Sequence, residues 1–327
     1  MFSLVTEFSI PDIQVHAASI CEYQNALHVV WFGGTKEKHP DTAIYISRCH
    51  NGIWSAPKIL AKIAPEAHWN PILFVGQDNL LYCYFKVGPS CSDWQTWFIK
   101  SDDGMNWTWQ RPLVWKSTEI RGPSRNKPII LSDESIIAPG SDENTYWRCY
   151  TDRSIDQGRS WIKSEDIRDN TVGLIQPALW ESTPGNVHMY ARSDCGWLFR
   201  ADSLDYGVTW SKPYRTGIPN NNSAIDIIHL SDERLVMALN PVAINWGVRA
   251  PLSLITSIDN GNTWSYIGDI ESVVLRPIIT PNGIMRRPIE YSYPSLCHAS
   301  SGIYCAYSCD RSMIRISIWD GSTSMAA

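Results

Sequence analysis

At 327 residues the chain is long enough for a large core, and its 44% hydrophobic and 19% charged residues are ordinary for a globular protein. A net charge of −5, with no basic run longer than Arg286-Arg287, lacks the electrostatic footprint of a nucleic-acid binder, and no run of 18 apolar residues offers a membrane-spanning helix. Nine scattered cysteines without a C-x-x-C pattern form neither a zinc set nor a disulfide framework, so reduced, mostly buried thiols are expected, and no metal or cofactor. Met1 leads into Phe2 to Ile10 with no basic n-region and no long apolar core. No signal peptide is expected on that ground, and the expected location is cytoplasmic, or periplasmic or membrane-associated if a leader has been removed.

In chain order the sequence reads as short strands between turn residues. The N-terminal strand near Phe2 to Ile10 is followed by Ala26 to Phe32 ahead of Gly33-Gly34, then by Asn79 to Phe85, Val187 to Ala191, Arg234 to Leu239 and Gly302 to Tyr307. These are rich in β-branched and aromatic residues, and no segment sustains a period of 3.6, which predicts an all-β fold. The final segment, Ile314 to Trp319, ends without the turn motif described next. Pairing it with the N-terminal strand would complete the last sheet and remove an open edge.

The motif is Ser257-Ile258-Asp259-Asn260-Gly261-Asn262-Thr263-Trp264. Ser203 to Trp210 and Ser154 to Trp161 match it at Ser, Asp, Gly and Trp; Ser101 to Trp107 is one residue shorter, and Ser47 to Trp54 is a worn copy. Asp can accept hydrogen bonds from its own turn, Gly can take φ > 0 at no steric cost, and the Trp ring can bury itself between sheets. The tryptophans recur about 50 residues apart, the length of one four-stranded blade, so the chain divides into about six units. One six-bladed β-propeller spanning residues 1–327 as a single domain is the predicted architecture. The pattern resembles the Asp-box of the sialidase (neuraminidase) superfamily over nearly the whole chain. In that family the boxes hold the scaffold and lie away from the active site, so they identify the fold and leave the chemistry open.

Polar residues beside predicted strands are the candidates for function: His16, Glu37, Asp41, Asn70, Lys86, Arg125, Lys127, Ser141, Glu143, Gln176, Arg192, Asn222, Asp226, Arg249, Glu290 and Tyr293. Any one of them alone fits a surface pair or a turn; at matching places in several blades they would converge on one channel mouth. The resemblance implies roles for some. Sialidases bind the substrate carboxylate with three arginines, whose planar guanidinium groups can each form two hydrogen bonds to it. Arg192 looks like the second, Arg249 like the third, and Tyr293 like the tyrosine nucleophile. Asp41 falls roughly where the acid/base aspartate does, with Glu37 its competitor. Two positions depart from the family: His16 stands where the first arginine is expected, and Gln176 where a glutamate would activate the tyrosine. Gln cannot act as a base, so either Glu290 or Glu143 comes within hydrogen-bond reach of the Tyr293 hydroxyl, or the tyrosine is not a nucleophile. Of the tryptophans outside the motifs, Trp31, Trp69, Trp94, Trp97, Trp147 and Trp246 are expected to pack between blades or to serve as sugar platforms.

The leading expectation is an exo-acting glycoside hydrolase that removes a terminal 2-keto-3-deoxy sugar acid, sialic acid or Kdo, from a glycan or glycolipid. The alternatives are a lyase or hydrolase of uronic-acid glycans and a non-catalytic carbohydrate-binding propeller. The expected partner in each is an acidic carbohydrate, with no nucleic acid and no transmembrane segment.

Overall fold

A computed structural model describes residues 1–63, 65–117, 119–280 and 283–321. Among them there is no helix, and six sheets stand in sequence order around a central axis. Blade 1 is built from Gln14–Tyr23, Ala26–Gly34, Ala43–His50, Ile53–Trp54 and Lys58–Ala61. Blade 2 runs through His68–Val75, Leu81–Val87, Gln95–Ser101 and Arg111–Pro112, and blade 3 through Ile129–Ile130, Ile136–Asp142, Arg148–Ser154 and Ile162–Lys163. Blade 4 holds Leu174–Thr183, Asn186–Ser193, Trp197–Ser203 and Tyr214–Pro219, and blade 5 holds Asp226–His229, Leu235–Leu239, Leu252–Ser257 and Ser265–Glu271. Blade 6 takes Tyr291–Ala299, Gly302–Cys309 and Met313–Trp319 from the end of the chain and Phe2–Phe8 from its beginning. Phe2 pairs with Trp319 and Phe8 with Ile314, so the two ends of the chain close the ring as the sequence predicts. A hairpin, Leu275–Thr280 with Gly283–Pro288, stands outside the six blades.

The third strands of blades 2 to 5 each end in the serine of a box, and the three full boxes share one hydrogen-bond set. Asp259 accepts from the Ser257 hydroxyl and the Thr263 N–H, each at 2.8 Å, while the Ser257 hydroxyl oxygen accepts from the Gly261 N–H at 2.9 Å. Asp205 and Asp156 repeat this within 0.1 Å. Gly158, Gly207 and Gly261 all have φ between 76° and 79°, a conformation that costs glycine nothing. In each full box the tryptophan Nε1 donates to the carbonyl of that glycine at 3.1 or 3.2 Å. The ring itself wedges between its own blade and the preceding one: Trp161 packs with Ile72, Tyr84 and Ile136, and Trp210 with Leu131, Ile137 and Leu179. In the worn copies Trp54 and Trp107 occupy the same wedges, but their Nε1 atoms are buried without a partner. All nine cysteines are unpaired.

Candidate functional site

The inner strands carry a second, less visible repeat. Ala17, Asn70, Gln176, Asn222 and Tyr293, from five different blades, have φ between 42° and 62°, the left-handed region that non-glycine residues enter only at a cost of roughly 1–3 kcal/mol. At four of them the strand ladder slips by a residue, between His16 and Ser19, Trp69 and Ile72, Ile175 and Ala178, and Ser292 and Ser295. A bulge of this kind turns a side chain away from the alternation of the strand. Tyr293 and Glu290 thereby escape the geometry of an ideal strand, in which side chains three positions apart face opposite ways.

Backbone groups freed by the bulges are met by side chains from across the ring. One Nη of Arg125 donates to the carbonyls of Ala18, Tyr293 and Pro294 at 2.8 to 3.1 Å, and Asn126 donates to those of Gln176 and Pro177. The Ser308 hydroxyl oxygen accepts from the Ala17 N–H at 3.1 Å and lies 2.9 Å from His16 Nδ1.

Above this layer two guanidinium groups, Arg192 and Arg249, gather about Tyr293, and a third, Arg311, stands beside Glu290. Arg192 Nη1 donates to the Tyr293 hydroxyl at 3.2 Å and to Gln176 Oε1 at 3.0 Å, and its Nε donates to Asn222 Oδ1 at 2.8 Å. Arg249 lies 5.5 Å from the Tyr293 ring centre and pairs with Glu290 at 3.0 Å. Arg311 lies 3.6 Å from Glu290 and pairs with Glu37. Arg192 has no carboxylate within salt-bridge distance among the described residues. The His16 ring packs 4.2 Å from that of Tyr293. Burial, and behind it the charges of Arg311, Arg249, Arg125 and Arg192, hold the His16 imidazole well below its ordinary pKa, so it is neutral. Its Nε2 is buried without a partner among the described residues.

Glu143 reaches the cluster from blade 3, accepting from Gln176 Nε2 at 2.8 Å and from the Ser141 hydroxyl at 3.2 Å. Burial raises its carboxyl above the ordinary value, against the pull of Arg192, Gln176, Ser141 and Lys86. At Glu290 burial also works upward, but Arg249, the Ser292 hydroxyl and Arg311 outweigh it and the carboxyl is held low. The rim is aromatic: Trp246, 60% exposed, stands edge-on to Trp147 at 6.2 Å and 6.0 Å from the Arg192 guanidinium. Trp31, Trp69 and Trp94 are core residues.

Several expectations from sequence are corrected here. No carboxylate hydrogen-bonds the Tyr293 hydroxyl among the described residues, because Glu290 is drawn to Arg249 and the Ser292 hydroxyl, and Glu143 to Gln176. Asp41 is tied into its own loop by the Thr35 N–H and hydroxyl and by His39 at 2.8 Å. Burial pushes its pKa up, but the hydrogen bonds from Thr35 and His39 together outweigh it and hold the carboxyl low, which disfavours it as a proton donor. Glu37 is committed to Arg311. Arg125 is 2% exposed and capped by carbonyls, so it braces the ring and offers no free face to a ligand. Lys127 and Asp226 pair with each other inside the ring, and Asp226 also accepts from the Leu296 N–H at 2.7 Å. Asn70 donates inward to the Ser124 carbonyl. Lys86 is fully buried against Thr96 and the Arg121 carbonyl, and burial brings its pKa down to about 7. Arg311 is the residue that sequence reasoning missed. It follows Asp310 in a turn between two blade-6 strands, both at φ near 50°, and its carbonyl accepts from the Val15 N–H beside His16. Only the ring closure brings it there, so no local motif marks it.

A family model for the BNR repeat-like domain matches residues 25–305. The chain belongs to that family. Its BNR repeat-like propeller superimposes on a Hadza microbial sialidase, Hz136, with a TM-score of 0.74 at 15% identity, over 93% of this chain and 65% of that one. A Trypanosoma rangeli sialidase gives 0.71 at 13% identity, over 94% of this chain and 55% of that one. A Dyadobacter fermentans protein of unknown function gives 0.72 at 14% identity, over 97% and 99%. The chain thus spans about two thirds or less of the length of those two sialidases and nearly all of the Dyadobacter protein, and at these identities the likeness concerns the fold. No curated protein sequence matches that of this chain.

Proposed function

We propose that the mouth binds the carboxylate of a terminal sugar acid, sialic acid or Kdo, and that the chain is a glycoside hydrolase acting on it. The observation that carries this reading is the convergence of Arg192 and Arg249 on Tyr293, with Arg311 beside them on Glu290. Arg192, with no carboxylate partner of its own, is the group most in need of an anion. Arg249 and Arg311 rest against Glu290 and Glu37 and would share themselves with the ligand. A neutral His16 in place of a fourth cation leaves the pocket roughly balanced once an anion enters. The Tyr293 hydroxyl accepts from Arg192, which leaves its own proton free to be donated. As a nucleophile it would avoid the repulsion a carboxylate would feel beside a carboxylated anomeric carbon. Its proton would have to reach Glu143 through a rearrangement of the mouth, since Arg192 and Gln176 stand between the phenol and Glu143 in the hydrogen-bond chain. With its carboxyl raised by burial while that of Glu290 is held low, Glu143 is the better suited of the two to exchange a proton. The sialidases among the fold neighbours support a glycosidase of this type.

A second reading is favoured by one observation: the phenol lacks a carboxylate partner while His16 lies against its ring. That pair would suit proton transfer on a uronate, as a lyase requires. Incubation with 4-methylumbelliferyl sialoside, with a Kdo-terminated glycolipid and with a uronate polymer followed by unsaturated-product absorbance separates the two. Release from either of the first two supports the hydrolase; absorbance from the third alone replaces it with the lyase.

A further inference from the structure

The propeller forms a cleft at the box end of successive blade pairs, where a box turn meets the preceding blade. Between blades 1 and 2, 3 and 4, and 4 and 5 these clefts measure about 340 to 380 Å³. The cleft between blades 2 and 3 is about 650 Å³, within the range of small-ligand sites. Since the fold makes the others alike, the excess belongs to what this chain places there. The outer strand of blade 2 is only Arg111–Pro112, and the chain then swings out to Trp115, which lines the cleft with its side chain 74% exposed.

We infer that this cleft is a second glycan-binding site, for a carboxylated or sulfated sugar unit. Trp115 provides an exposed apolar face on which a pyranose can stack, and Lys100, Arg111 and Arg159 bring three positive charges against one carboxylate, Asp78. Asp78 is already occupied by the Tyr82 hydroxyl at 2.7 Å and by Lys100 at 3.8 Å. Arg111 lies over the Phe98 ring at 5.5 Å, and Arg159 is exposed on the box turn. Two of the cations are therefore left without an acidic partner among the described residues, in a chain whose net charge is −5. An anionic ligand with an apolar face answers both features, whereas a neutral sugar would leave the cations unmatched. The cleft opens at the opposite end of the strands from Tyr293, so it holds a separate part of a glycan, or a separate glycan, and adds avidity without adding to the mouth.

Isothermal titration of the full chain with a glucuronate-containing tetrasaccharide, its sulfated counterpart and neutral cellotetraose tests this, first with the mouth silenced by Arg192→Ala and Arg249→Ala. Saturable binding of one or both anionic sugars is expected, weakened at least tenfold by Trp115→Ala or Arg111→Ala, with the neutral sugar at least tenfold weaker. The response to the two anions tells carboxylate from sulfate. No binding, binding indifferent to Trp115→Ala, or equal binding of cellotetraose overturns the proposal. If the silenced chain fails to melt cooperatively, the Trp115→Ala change is made alone: loss of a second binding event from an otherwise unaltered chain supports the site, and an unchanged isotherm refutes it. Loss of hydrolysis in Arg192→Ala bears on the mouth alone.

Discussion

The two ends of the propeller use left-handed backbone in opposite ways. At the box end the residue pairs Gln157-Gly158, Tyr206-Gly207 and Asn260-Gly261 take φ > 0 in succession, and each box repeats one hydrogen-bond set within 0.1 Å. The Ser, Asp, Gly and Trp of each full box are joined to one another by hydrogen bonds inside the turn, so the unit largely satisfies itself and can be copied. At the mouth, Ala17, Asn70, Gln176, Asn222 and Tyr293 share the same backbone region but not the same side chain, and their freed polar groups are met by other blades. A repeat that satisfies itself builds the scaffold; one that relies on its neighbours can differ blade by blade and hold a site.

The comparison predicts that damage at the two ends will separate stability from binding. Trp161→Ala, which empties a wedge whose ring is 8% exposed, should cost about 3–5 kcal/mol in urea unfolding while leaving acidic-sugar affinity of the folded fraction unchanged. A normal unfolding midpoint with lost binding would join the two ends that the account keeps apart. Arg192→Ala should weaken binding of a sugar acid by about 2–5 kcal/mol in calorimetry and leave binding of its methyl ester nearly untouched.

Lys86 sharpens the contrast from beneath the mouth. Its folded pKa is about 7 and its unfolded value about 10.4, so above pH 7 the unfolded chain holds the extra proton and stability rises with pH. Between pH 7 and 8 this should raise stability by about 1 kcal/mol, and Lys86→Met should remove that rise in urea titrations at the two pH values. The smallest effect concerns Glu143, whose carboxyl is raised by burial. As pH falls through that raised value, a negative charge beside Arg192 disappears, so sugar-acid affinity should increase by a few-fold until the ligand itself protonates. Affinity that is flat with pH in Glu143→Gln but not in the unaltered chain would confirm it; identical profiles would not.

How much of this was legible in the sequence follows from the same contrast. The boxes repeat in residues as well as in geometry, so the blade count and the all-β fold could be read from Ser, Asp, Gly and Trp. Arg192, Arg249 and Tyr293 were legible through resemblance, and the structure gathers them together. The inner-strand bulges repeat in backbone but not in residues; the prolines after Asn70, Gln176 and Tyr293 are their one common trace. Arg125, Lys127 and Asp226 looked like site residues because buried charge and ligand-binding charge are written with the same letters. Whether such a group faces a ligand or a carbonyl depends on partners about 70 to 170 positions away. Arg311 was invisible for a related reason, since it meets Glu37 only when the last strands return to the first blade.

The central claim is that the mouth recognises a carboxylate through three arginines, one of them Arg311. Its most direct test is a calorimetric titration of the unaltered chain and of Arg311→Ala with a sugar acid and with its methyl ester. The account predicts that the unaltered chain prefers the acid by at least tenfold and that Arg311→Ala loses most of that preference while melting normally. Equal affinity for acid and ester in the unaltered chain, or a preference that survives Arg311→Ala intact, would contradict it.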